Sequence, residues 1–182
     1  MCSLWTIATS VVVFKILANG QATTLAPLFG KKLGILVSDR ARALNFWAME
    51  KRQICWAHLL RKAISFSERD GPSGALGREL LEYIGILFDY YDSLRAGELS
   101  REKFRELMAP VRRQVEALLE RAQAAKLKHV SGSCADMLAH RLALWTYVDQ
   151  DGVEPTSRVG DRRGGVQAGL LAVSAVSGFV PV

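Results

Sequence analysis

The stretch RQICWAHLLRK, residues 52–62, sets Cys55 and His58 three residues apart between basic side chains. Cysteine and histidine at that spacing can hold zinc or act as a nucleophile–base pair. A structural zinc site needs about four ligands, and the remaining candidates, Cys2, His129, Cys134 and His140, do not repeat the close pairing. A catalytic pair is also poorly served, because residues three apart face one another only once the chain is helical. The plainer reading packs Cys55 and Trp56 in the core and leaves His58 near a strand's C-terminal edge. Upstream, the apolar run LGILVSD, residues 33–39, ends in an acid. Such a run reads as a strand buried on both faces, with Asp39 exposed at its C-terminal end. Ligand sites in open α/β sheets gather at those ends, so Asp39 and His58 are expected side by side there.

The elements that must position these residues follow from the hydrophobic pattern. Residues 4–9 and 11–17 are β-branched and apolar, and read as an antiparallel strand pair. Residues 23–29 fit a short helix capped by Thr23 or Thr24 and ended by Gly30. Residues 41–49 predict a weak helix and 53–56 a short strand that leads into a helix near Ala57. After Asp70-Gly71-Pro72 the period lengthens from two to about 3.6. Leu76, Leu80, Ile84, Leu87 and Tyr91 mark one long helix. Phe104, Val111, Val115 and Leu118 mark a second, opened by Ser100 and kinked at Pro110. A third is expected over 133–148. Beyond residue 164 the chain is rich in Gly, Ala, Val and Ser and shows neither period, which predicts a poorly packed tail.

Composition bounds the reading. The chain has 182 residues, 49% of them hydrophobic and 23% charged, which suits a globular fold rather than a disordered one. A formal net charge of +6 suits phosphate-rich partners. Three widely spaced cysteines form no disulfide framework, so a cytoplasmic setting is expected. The apolar N-terminal run is interrupted by Lys15 and is shorter than the roughly 20 residues a membrane span requires, so no membrane segment is expected. The basic residues over 101–128 alternate with Glu98, Glu102, Glu106, Glu116 and Glu120. That pattern reads as solvated helix faces ahead of a nucleic-acid surface.

The segment GILVSDRARALNFWAMEKRQICWAHLLRK resembles the core of the insertion sequence 66 family of transposases. That family shows a strand ending Val-Ser-Asp, a short helical stretch, then Arg-Gln-x-Cys-Trp-Ala-His-Leu-x-Arg. LWTIATSVVVFKILANG is similar to its preceding strand pair, and LALWTYVDQDGVEPT to the segment before its last catalytic motif. The resemblance runs from about Leu4 to Thr156 and implies a DDE transposase. The expected fold class is therefore α/β: a partial RNase H-like mixed sheet followed by a large helical insertion. The corresponding domains are 4–70 for the catalytic core, 71–150 for the insertion and 151–182 for the divergent tail.

The resemblance implies metal-dependent DNA strand cleavage and transfer, with Mg2+ held by two Asp and one Glu. Carboxylates are the right hard ligands for that ion. Asp39 falls on the second Asp. Asp161-Arg162 falls on the Glu-Arg position, one methylene shorter, in a stretch where the family's asparagines are replaced. Arg52, His58, Arg61 and Lys62 would lie near the metals or the DNA backbone, and the parent protein would act on transposon ends as an oligomer. The strand carrying the family's first Asp lies upstream of residues matching Leu4. The resemblance thus implies a chain shortened at its N-terminus and unable to cut DNA alone. Two other readings remain open: a non-catalytic nucleic-acid-binding remnant, and a helical module that docks on another protein.

Overall fold

The computed structural model describes residues 3–8, 12–17, 19–29, 34–157 and 170–176. They form two compact units: residues 1–55 with 142–182, and residues 56–141. The second unit is thus inserted into the first, and it opens at Trp56, so the helix expected near Ala57 belongs to it.

The first unit is built on a mixed sheet. Its strands are β1 (Ser3–Ala8), β2 (Val12–Leu17), β3 (Ile35–Ser38), β4 (Arg52–Ile54) and β5 (Leu170–Val176), in the order β2-β1-β5-β3-β4. β1 runs antiparallel to both β2 and β5, whereas β5, β3 and β4 are mutually parallel. The expected strand pair at the N-terminus, the strand ending before Asp39 and the short strand after Lys51 are all present. The tail differs from expectation at Leu170–Val176. There an apolar run lies between two strands that present free backbone edges, and pairing satisfies the main chain of all three. The rest of the expected tail, 158–169 and 177–182, lies outside the described residues.

Both faces of the parallel part are covered. Leu36 joins Leu25, Leu44 and Trp47 in one buried cluster. Phe29 closes it, its ring edge-on to Trp47 at 5.6 Å between centroids. In place of the helix expected over 41–49, the chain forms two 3-10 turns, Arg42–Leu44 and Met49–Lys51. The short helix α1 (Ala22–Leu25) is entered through Asn19, whose Oδ1 accepts from the Gln21 amide at 3.0 Å and the Thr24 hydroxyl at 2.8 Å. No side chain caps the helix as a threonine was expected to; Asn19 instead turns the chain just before it.

The second unit is helical: α2 (Trp56–Ser67), α3 (Gly71–Ala96), α4 (Arg101–Ala124) and α5 (Ser131–Ala139). Gly71 reverses the chain at φ +64, and Pro72 stands in the first turn of α3, where its missing N–H costs nothing. Gly97 ends α3 in the left-handed region, and the Ser100 hydroxyl caps α4 by accepting from the Lys103 amide at 3.2 Å. α4 runs on through Pro110, which is exposed, while Met108 and Val111 on either side are buried and hold the helix. The third helix expected over 133–148 is broken into α5, α6 (Arg141–Leu144) and α7 (Thr146–Asp149). α7 and most of α6 belong to the first unit. No described helix is long and apolar enough to cross a membrane.

Candidate functional site

Asp39 follows the last residue of β3. Its Oδ1 accepts from the Ala41 amide at 2.9 Å, which turns the chain out of the strand and fixes the carboxylate. The backbone just before it is held from below. Arg52, on the neighbouring β4, is fully buried. Its guanidinium donates to the Asp39 carbonyl at 3.2 Å, the Ser38 hydroxyl at 3.4 Å and the Asn45 side chain at 3.3 Å. Nε finds no partner. Burial pushes the Arg52 guanidinium below its ordinary value, and the nearby Asp39 carboxylate pushes it back up. A buried cation under the strand end thus faces the one acid the strand presents.

The next residue reaches the opposite face. Gln53 is fully buried, and its amide is bonded in full. Nε2 donates to the Ile54 carbonyl at 2.7 Å and the Leu144 carbonyl at 3.0 Å, while Oε1 accepts from the Tyr147 amide at 2.8 Å. The Thr146 hydroxyl donates to the Arg52 carbonyl at 2.5 Å. Cys55, 1% exposed, donates its amide to the Ser38 carbonyl at 2.7 Å and accepts the Ser157 amide on Sγ at 3.2 Å. This strand and the residue after it therefore hold the returning segment 144–157 against the strand end that carries Asp39.

The zinc reading of Cys55 has no support here: no group of three His, Cys, Asp or Glu among the described residues is placed to hold a metal ion. Cys55 and Trp56 are both core residues, each 1% exposed. His58 lies in the first turn of α2, half-buried, with Nδ1 enclosed and without a partner. Arg61 and Lys62 are exposed, and at spacings of three and four residues they share a helix face with His58. Lys62 also lies 6.0 Å from the centre of the Phe66 ring. Arg52, expected at the DNA backbone, is instead sealed inside the sheet layer. Asp161 lies outside the described residues.

Sequence reasoning missed Gln53, Ser157 and the positioning part of Arg52. The signal was there: three consecutive motif positions, Arg-Gln-Ile, put two long polar side chains in a short strand that runs straight into the apolar Cys55-Trp56. Polar groups that enter a core must be bonded. On α4, Lys103 pairs with Glu106 at 3.0 Å and Arg112 with Glu116 at 3.0 Å, while Arg121 pairs with Glu79 of α3. These basic residues are thus engaged with acids, as the alternation of charge led us to expect.

The fold and site define a mixed α/β protein whose sheet is interrupted by a helical insertion and whose parallel strands end in a fixed acid. The family described as Transposase IS66 family matches residues 2–159. The chain belongs to that family. No curated protein matches the chain, and no solved structure matches it.

Proposed function

We propose that this chain carries the core of a DDE transposase and binds DNA through the exposed face of α2. The observation that carries the reading is the family match over residues 2–159, taken with a strand-end Asp39 braced by Arg52. Acids at the C-terminal ends of parallel strands are where α/β sheets place their chemistry. A mixed sheet with one strand running against the other four supports an RNase H-like core.

Asp39 is the right kind of ligand for Mg2+. A two-metal phosphodiester site, however, needs several carboxylates converging on the ions. Among the described residues Asp39 has no such company, so the donor set does not fit a complete site. Asp161 stands four residues beyond Ser157, which is bonded to Cys55, so a second acid is within reach of the first along the chain. We assign DNA binding to Arg61, Lys62 and His58, and give Arg52 to positioning. The chain alone is expected not to cut DNA.

The test is duplex binding followed by anisotropy across a salt series, with nicking measured in Mg2+. Binding that weakens with salt, and weakens further in Arg61→Glu/Lys62→Glu, is the expected result. Salt-independent binding, or no change in the double variant, refutes the assignment of this face. Nicking that Asp39→Ala abolishes refutes the claim that the chain is incompetent alone.

A further inference from the structure

We infer that Gln53 is a positioning residue: it sets where the returning segment 144–157 lies against β4, the strand beside the one that ends at Asp39. The inference rests on the transposase reading only for its purpose; the device itself is defined by the hydrogen bonds. Every polar atom of a fully buried amide is committed: one donor bond goes to its own strand and one to Leu144, and the acceptor takes the Tyr147 amide. Leu144 and Tyr147 are separated by three residues, so a single side chain grips both ends of one turn. Methionine matches glutamine in length but removes the donor to the Leu144 carbonyl and the acceptor of the Tyr147 N–H. Filling space is therefore not what the residue is for.

The grip has a chemical polarity that only an amide meets. The same position must donate to a carbonyl and accept from an N–H. Glutamate keeps the acceptor but offers no donor until it is protonated. Its carboxylate would face the Leu144 carbonyl, oxygen against oxygen. Two neighbouring bonds, Thr146 to the Arg52 carbonyl and Ser157 to Cys55, lie along the same seam and extend the register at either end.

Amide hydrogen exchange on the full chain tests this without DNA or metal, so its outcome is independent of whether the chain acts on DNA. In Gln53→Met, exchange at Tyr147 and through 144–157 should rise about tenfold or more, while Cys55, whose amide is bonded to the Ser38 carbonyl, keeps its protection. In Gln53→Glu, which keeps the acceptor for Tyr147 but loses the donor to Leu144, protection factors at Trp145 and Thr146 beside that carbonyl should fall as pH rises through the carboxyl titration and recover on acidification. A residue that only fills space would show no such pH dependence. Thr146→Val, which cuts one bond of the same seam, is the milder variant should the others not fold, and should loosen 144–147 first. Uniform loss of protection across the first unit, pH-independent protection factors in Gln53→Glu, or unchanged protection over 144–157 in Thr146→Val would overturn the assignment.

Discussion

The face of α2 that bears Arg61 and Lys62 depends on how closely α2 and α3 approach, and two glycines set that approach. A Cβ built on Gly77 would stand 2.2 Å from the Ser67 amide nitrogen and 2.6 Å from the Phe66 carbonyl carbon. Both are backbone atoms and cannot swing aside. Ordinary contact begins at 3.4 Å, so the end of α2 would have to retreat by more than an ångström. Gly85 lies on the same helix with nothing within 4 Å of its Cβ position. Alanine gains helix propensity at both sites, about 1 kcal/mol each, but overpacking at Gly77 costs about 1–3 kcal/mol or more. Gly85→Ala should therefore stabilise by about 1 kcal/mol, and Gly77→Ala should destabilise by about 1–2 kcal/mol. Urea unfolding followed by helical circular dichroism reads both as midpoint shifts of opposite sign. If Gly77→Ala stabilises as Gly85→Ala does, the close crossing is wrong, and with it the geometry of the basic face. Gly74, whose Cβ would meet the Arg69 carbonyl oxygen at 1.8 Å, should behave as Gly77 does.

Other expectations can be checked in the same material. Arg52→Lys keeps the charge but loses the fork that reaches Asn45, Ser38 and Asp39 together, and should cost about 1–3 kcal/mol in thermal unfolding. Cys55→Ser retains an acceptor for the Ser157 amide, whereas Cys55→Val removes it and should be the less stable of the two by about 1–3 kcal/mol. A chelator should leave the melting temperature of the wild-type chain unchanged, since Cys55 is a core residue whose sulfur accepts the Ser157 amide; a drop would revive the zinc site. Lys126, held at φ 51, should gain about 0.5–1 kcal/mol on replacement by glycine, measured by the same urea titration.

The long helices were legible because their apolar residues repeat at helical spacing: Leu76, Leu80, Ile84 and Leu87 are all buried as the period required. Asp39 was legible for a similar reason, since a doubly buried strand that stops at an acid must expose it. The segment after Ser131 was not, because its apolar residues persist while the backbone breaks at His140 and Trp145, and hydrophobic period alone does not register such breaks. Arg52 was misplaced for an instructive reason. A basic residue beside a catalytic motif invites assignment to phosphate, yet β4 is covered on both faces, and alternation puts Arg52 on the same face as Leu36, its register partner. Gln53 and Ser157 escaped notice because their partners lie 91 to 102 residues away, a distance that no local pattern spans.

That separation has a kinetic consequence. Bringing Gln53 to Leu144 across 91 residues of unfolded chain costs about 4 kcal/mol in closure entropy, whereas a connection equivalent to ten residues costs about 2 kcal/mol. A helical unit that has already folded would shorten the effective connection before Gln53 meets Leu144. Local helices form quickly, while contacts between residues far apart in sequence form slowly. The insertion is thus expected to act as a template in time: residues 56–141 assemble first, and the seam at Gln53 closes late. Stopped-flow refolding should show most helical signal gained before the buried Trp145 reaches its final fluorescence.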